Sequence, residues 1–142
     1  MFNTSSPMTF GRPPQFAQAY RNIAAETGIT DASPHRLVQM LYDGVLESVA
    51  EARGAMRAHD IERKGRAIGR AVRIVEEGLR GGLNTKAGGG LAQALDQLYT
   101  YVVGRLTQAN LRSDEQALDE CVRLLKPLQD AWLAIGPAVA TR

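Results

Sequence analysis

Apolar side chains recur at steps of three and four along most of the chain, the spacing that gathers them on one face of an α-helix. The series Leu37, Leu41, Val45, Val49, Ala52 and Met56 runs unbroken to about residue 58. Ser33 and Pro34 stand just ahead of it. A serine oxygen accepts from the free N–H groups of a first turn, and proline suits the first helical position because its missing donor is not needed there. A second series, Ile61, Ile68, Val72, Val75 and Leu79, follows Asp60 as N-cap and stops at Gly81 and Gly82. The third opens after Gly88, Gly89 and Gly90 with Leu91, Leu95, Leu98, Val102, Leu106 and Ala109. Ser113 is expected to cap the fourth, with Gln116 three residues on at the capping-box spacing. Leu118, Val122, Leu125, Gln129 and Trp132 carry that face onward. Pro127 lies inside it, removes the bond to the Arg123 carbonyl and predicts a kink.

Each segment spans roughly 20–25 residues, about 30–37 Å at the helical rise. The connections at 59–60, 83–90 and 111–113 are short, which folds consecutive long helices back on one another as antiparallel neighbours. The expected fold is all-α, an antiparallel up-down four-helix bundle. No strand-period stretch bounded by hairpin turns competes with it. Residues 1–15 mix Ser, Thr, Gly and Pro with scattered apolar positions and read as a mobile leader. Phe16, Ala19, Tyr20 and Ile23 return to helical spacing before Gly28 and Asp31 interrupt, predicting a short extra helix that docks on the body or on a partner. The single domain is expected to span 16–135, with 136–142 a frayed tail.

Composition narrows the function. A chain of 142 residues with 44% apolar and 23% charged positions suits one globular domain with no second catalytic module. Its single cysteine, Cys121, allows neither an intrachain disulfide nor a C-x-x-C metal pair, which favours a reducing compartment. Cys121 sits four residues before Leu125 on the apolar stripe and reads as a small buried filler. The opening MFNTSSPMTFGRPPQF lacks a basic run followed by an apolar core, and no apolar run approaches about 18 residues. Neither signal peptide nor membrane insertion is expected, so the cytosol is the expected location. A net charge of +2 is too small to argue for nucleic acid.

The usual bundle chemistries lack their residues. A di-iron site needs Glu-x-x-His pairs on two helices, whereas His35 and His59 follow Ala32 and Met56 at that spacing. The haem motif C-x-x-C-H is absent. His35, in a first turn, and His59, at a helix end, read as solvated or capping side chains. The glycine-rich stretch 81–90 lacks G-x-x-x-x-G-K-[ST] and reads as a turn. No general base stands beside a nucleophile, so no enzyme, cofactor or metal is expected.

Two excesses remain. Arg53, Arg57, Arg63, Lys64, Arg66, Arg70 and Arg73 outnumber the acids among them, and 63, 66, 70 and 73 share one face. That face is either simply solvated or a landing patch for an acidic partner. Val38, Met40, Tyr42, Leu46, Tyr99, Val103 and Leu133 widen the apolar faces beyond a strict seam. They belong either to the core or to an external groove for another chain's amphipathic helix.

These residues resemble a known family. S-P-H-x-L at 33–37 precedes M-L-Y-D-G at 40–44, K-G at 64–65 and G-L-x-x-G-L at 78–83. L-Y-x-Y at 98–101, R-L-x-x-A-N-L at 105–111 and A-W at 131–132 follow in one register. Together they resemble the flagellar secretion chaperone FliS family. The resemblance implies a non-enzymatic cytosolic bundle that binds the C-terminal segment of newly made flagellin. It implies further that binding prevents early polymerisation and assists delivery to the cytoplasmic domain of the flagellar type III export gate. Tyr20 matches a tyrosine of the family's N-terminal region, and with Ile23 it is a candidate cover of the groove or contact with the gate. Groove candidates are Leu37, Met40, Leu41 and Tyr42 on the first long helix and Leu98, Tyr99 and Val102 on the third. The alternative function is a small regulatory bundle whose basic face binds an acidic partner or nucleic acid.

Overall fold

A computed structural model of the chain describes residues 33–84 and 89–136. The expected leader at 1–15, the short helix carrying Tyr20 and Ile23, and the tail beyond Gly136 lie outside the described residues. Helix α1 is Pro34–Arg57, α2 Ile61–Arg73, α3 Gly89–Arg112 and α4 Glu115–Ile135. A π-helical segment, Ile74–Arg80, continues α2. It was not anticipated, because the apolar spacing there suits an α-helix equally well.

Polar contacts between the helices show their directions. From α1 to α4, Arg57 pairs with Glu115 at 2.9 Å, Arg53 with Asp119, and Asp43 accepts from Gln129 at 2.6 Å. Numbers rise along one helix as they fall along the other, so the two run antiparallel. The same holds for α1 and α2, where Arg63 meets Glu51 and Arg70 donates to Ser48 and to the Gly44 carbonyl. It holds for α2 with its extension and α3 through Lys64 with Asn110 and Arg80 with Asp96, and for α3 and α4 through Arg105 with Glu120 and the Val102 carbonyl with Cys121. The result is the expected up-down bundle, closed by α4 packing against α1.

Ser33 and Asp60 cap as anticipated, accepting from the amides of Arg36 and Arg63. Ser113 does not. It sits at φ 49°, a left-handed position that ends α3, whereas an N-cap needs extended backbone. Asp114 supplies the cap, accepting from the Gln116 and Ala117 amides. The α1–α2 turn is built the same way. His59 is left-handed at φ 56°, its N–H bonds to Met56 and that of Asp60 to Ala55, the Schellman pattern.

The core takes Leu41, Val45, Val49 and Ala52 from α1, Ile68, Ala71 and Val75 from α2 and its extension, Val102 and Leu106 from α3, and Leu118, Cys121 and Leu125 from α4. Two stripe positions are exposed. Ile61 is 67% exposed at the first residue of α2, and Leu91 72% at the third of α3. Helix α4 carries Pro127 without ending, and Pro127 and Arg123 both lie on the exposed side, where solvent can take up the freed carbonyl. No helix among the described residues is long and apolar enough to cross a membrane.

Candidate functional site

An apolar cavity of about 130 Å³ opens at the end of the bundle where α1 begins and α4 finishes. Val38, Leu41 and Tyr42 form its α1 wall. Leu79 and Leu83, with Gly78 and Gly82 between and beside them, form the wall at the end of the π-helical segment. Leu95 and Tyr99 of α3 and Trp132 of α4 complete it. Every helical segment of the bundle thus contributes to the lining, α2 through its π-helical extension.

Across the cavity wall the hydroxyls of Tyr42 and Tyr99 bond at 2.6 Å, both buried. Burial pushes both phenols above their ordinary range, and for Tyr99 the neighbouring Tyr42 adds to the effect. Both therefore stay neutral, and the pair satisfies itself. Tyr99→Phe should destabilise the fold by about 1–3 kcal/mol, because it leaves the Tyr42 hydroxyl buried without a partner. Adding Tyr42→Phe should recover most of that loss. Urea unfolding of the two single variants and the double variant measures this coupling.

Of the groove candidates, Leu41, Tyr42 and Tyr99 line the cavity. Leu37, Met40 and Val102 are buried but lie outside its lining, and Leu98 is half-buried and also outside it. Sequence reasoning did not single out Leu83 or the two glycines as site residues. The signal that pointed to them was the G-L-x-x-G-L motif at 78–83, whose two glycines and last leucine border the cavity together with Leu79. Leu79, Leu95 and Trp132 belong to the apolar stripes and border the cavity as well.

Other candidate groups have structural partners. His35, expected to be solvated or capping, is only 5% exposed because Trp132, 97 residues away in sequence, covers its ring. Lys64, within the basic run, is also 5% exposed and donates to the Asn110 carbonyl at 2.9 Å and the Ser113 hydroxyl at 2.7 Å. On the basic face, Arg63 pairs with Glu51 and Arg66 with Glu62, while Arg70 turns inward to α1. Charge on that face is thus partly neutralised. The Tyr101 hydroxyl and Arg105 hold the Glu120 carboxyl below the usual carboxylate range. Cys121 is fully buried, and burial pushes its thiol up to about 11, so it remains protonated at neutral pH. Among the described residues no cluster of His, Cys, Asp and Glu is placed to hold a metal ion.

A small antiparallel helix bundle with an open apolar cavity at one end has the form of a binding protein. Residues 16–139 match the family described as flagellar protein FliS, and the chain belongs to that family of flagellar secretion chaperones. It is 40% identical over 120 residues to the flagellar secretion chaperone FliS of Salmonella typhimurium, covering 84% of this chain and 89% of that protein. It is 44% identical over 117 residues to FliSB of Pseudomonas aeruginosa, covering 82% and 92%. FliS of Bacillus subtilis is 32% identical over 107 residues, covering 75% and 78%.

Proposed function

We propose that this chain is a cytosolic chaperone for flagellin, binding its C-terminal segment so that it neither polymerises early nor folds away from the export route. The observation that carries this reading is the apolar cavity bordered by Tyr42, Leu83, Tyr99 and Trp132 in a member of a family of flagellar secretion chaperones. An apolar helix face of the partner places its largest side chain in the cavity and lays the rest along the neighbouring helices. An export substrate that is disordered when free gives up conformational entropy as it folds onto the bundle. That cost holds affinity at a level from which the export machinery can take the substrate. Delivery to the cytoplasmic domain of the export gate is part of the same proposal. Tyr20 and Ile23 are assigned to it as a cover of the groove or a contact with the gate.

Mixing the chain with full-length flagellin should give a stoichiometric complex on a sizing column that survives moderate salt. Flagellin lacking its C-terminal segment should elute separately. Equal binding of the truncated flagellin would place the contact elsewhere, and a complex that dissolves steeply with added salt would point to charge instead of apolar contact.

A further inference from the structure

Trp132 borders the cavity, but α4 alone does not fix its ring. The indole stacks on the imidazole of His35, with ring centroids 5.1 Å apart and planes 10° from parallel. Two hydrogen bonds join the same residues. Trp132 Nε1 donates to the His35 carbonyl at 2.9 Å, and His35 Nε2 donates to the Trp132 carbonyl at 2.8 Å. A carbonyl only accepts, so Nε2 of His35 carries a proton. The stack holds the plane of the indole and the Nε1 bond holds its direction. His35 itself lies outside the cavity lining.

We propose that His35 is a positioning residue for partner binding, acting on the cavity through Trp132: it clasps the end of α4 to the start of α1 and holds the indole in place as a cavity wall. The inference rests on the reading that flagellin uses this cavity, and it names the device that keeps the cavity open to an apolar side chain. The clasp spans the first and last helices, so it also couples the shape of the cavity to closure of the bundle.

The test uses the full chain, with flagellin affinity measured by calorimetry and the emission of Trp132, the single tryptophan, measured in the free chaperone. His35→Ala should weaken binding about tenfold and shift the Trp132 emission to longer wavelength as the ring loses its cover, with helical content retained. His35→Phe keeps a stacked ring and His35→Gln keeps a donor of similar reach, and each should recover part of the loss. Val38→Phe, which fills the cavity from outside the clasp, should also weaken binding. If Val38→Phe binds like the unaltered chain, flagellin does not use the cavity, and the inference falls with that reading. If Val38→Phe weakens binding while His35→Ala leaves it unchanged, the cavity reading stands and the positioning role is overturned. The role is equally overturned if His35→Ala weakens binding without moving the emission and neither replacement restores any affinity. Should His35→Ala fail to fold, the Phe and Gln variants decide by the same two readouts: affinity and emission both at the unaltered values in both variants would overturn it.

Discussion

Leu118→Ala should lower the unfolding free energy by about 2–5 kcal/mol, a large share of the roughly 5–15 kcal/mol that holds a domain of this size together. Leu118 is fully buried in the first turn of α4, within the cluster that also takes Val45, Val49, Leu106 and Cys121. Removing its branched end forfeits the transfer free energy of three carbons and leaves a void that a close-packed interior refills only in part. Leu91→Ala is the matched control, since Leu91 is equally a leucine on an apolar stripe but is mostly exposed. Its cost should stay within about 0.5 kcal/mol. Urea denaturation followed by far-UV circular dichroism separates the two, with an unchanged slope showing that the unfolded state is not what moved. Equal costs would mean that the stripe read from sequence describes the core better than the packing does.

Lys64→Met should cost about 1.5–3 kcal/mol, although methionine is the more apolar residue and the site is buried. The Lys64 ammonium does two things at the end of α3. It donates to the carbonyl of Asn110, one of the last-turn carbonyls that have no partner within a helix, and it places positive charge at the negative end of the helix dipole. It also donates to the hydroxyl of Ser113, the left-handed residue on which the chain turns into α4. Methionine leaves both oxygens without that donor. Lys64→Arg should not restore stability, because a planar fork does not fit a site shaped for a compact ammonium. Denaturation of the three proteins under the same conditions checks this. A methionine variant as stable as the original would show that the desolvation of the ammonium cancels what its bonds contribute.

The parts of the molecule legible in sequence are those fixed by neighbours a few residues apart. Ser33 with Pro34, and Asp60 before an apolar run, announced two helix starts because capping is local chemistry. The four apolar stripes announced the bundle. Ser113 misled because a serine followed three residues later by glutamine also fits a chain that turns at the serine and caps one position on. The distant partners were not legible. Nothing near His35 indicates that Trp132 will cover it, and nothing near Lys64 marks it as the donor that completes another helix. The cavity lay between these cases. Tyr42 and Tyr99 stood out as apolar excess beyond the seam and Leu41 lay on the stripe itself, while Leu83 was marked only by the G-L-x-x-G-L motif.

The π-helical segment has a consequence for chain length. In Ile74–Arg80 the backbone bonds reach five residues back, as from Gly81 to Glu76, one more than in an α-helix. The segment therefore stores about one residue of slack at the bundle's open end. Loss of a single residue here could be taken up by tightening to ordinary α turns, leaving Ile68 and Ala71 seated in the core. Because the segment itself absorbs the loss, the residues that follow keep nearly the same facing, and Leu83 stays on its wall. A gap of one in this stretch would thus be nearly silent for folding, whereas the same gap in an α-helical stretch would turn every later residue by about 100° about the axis.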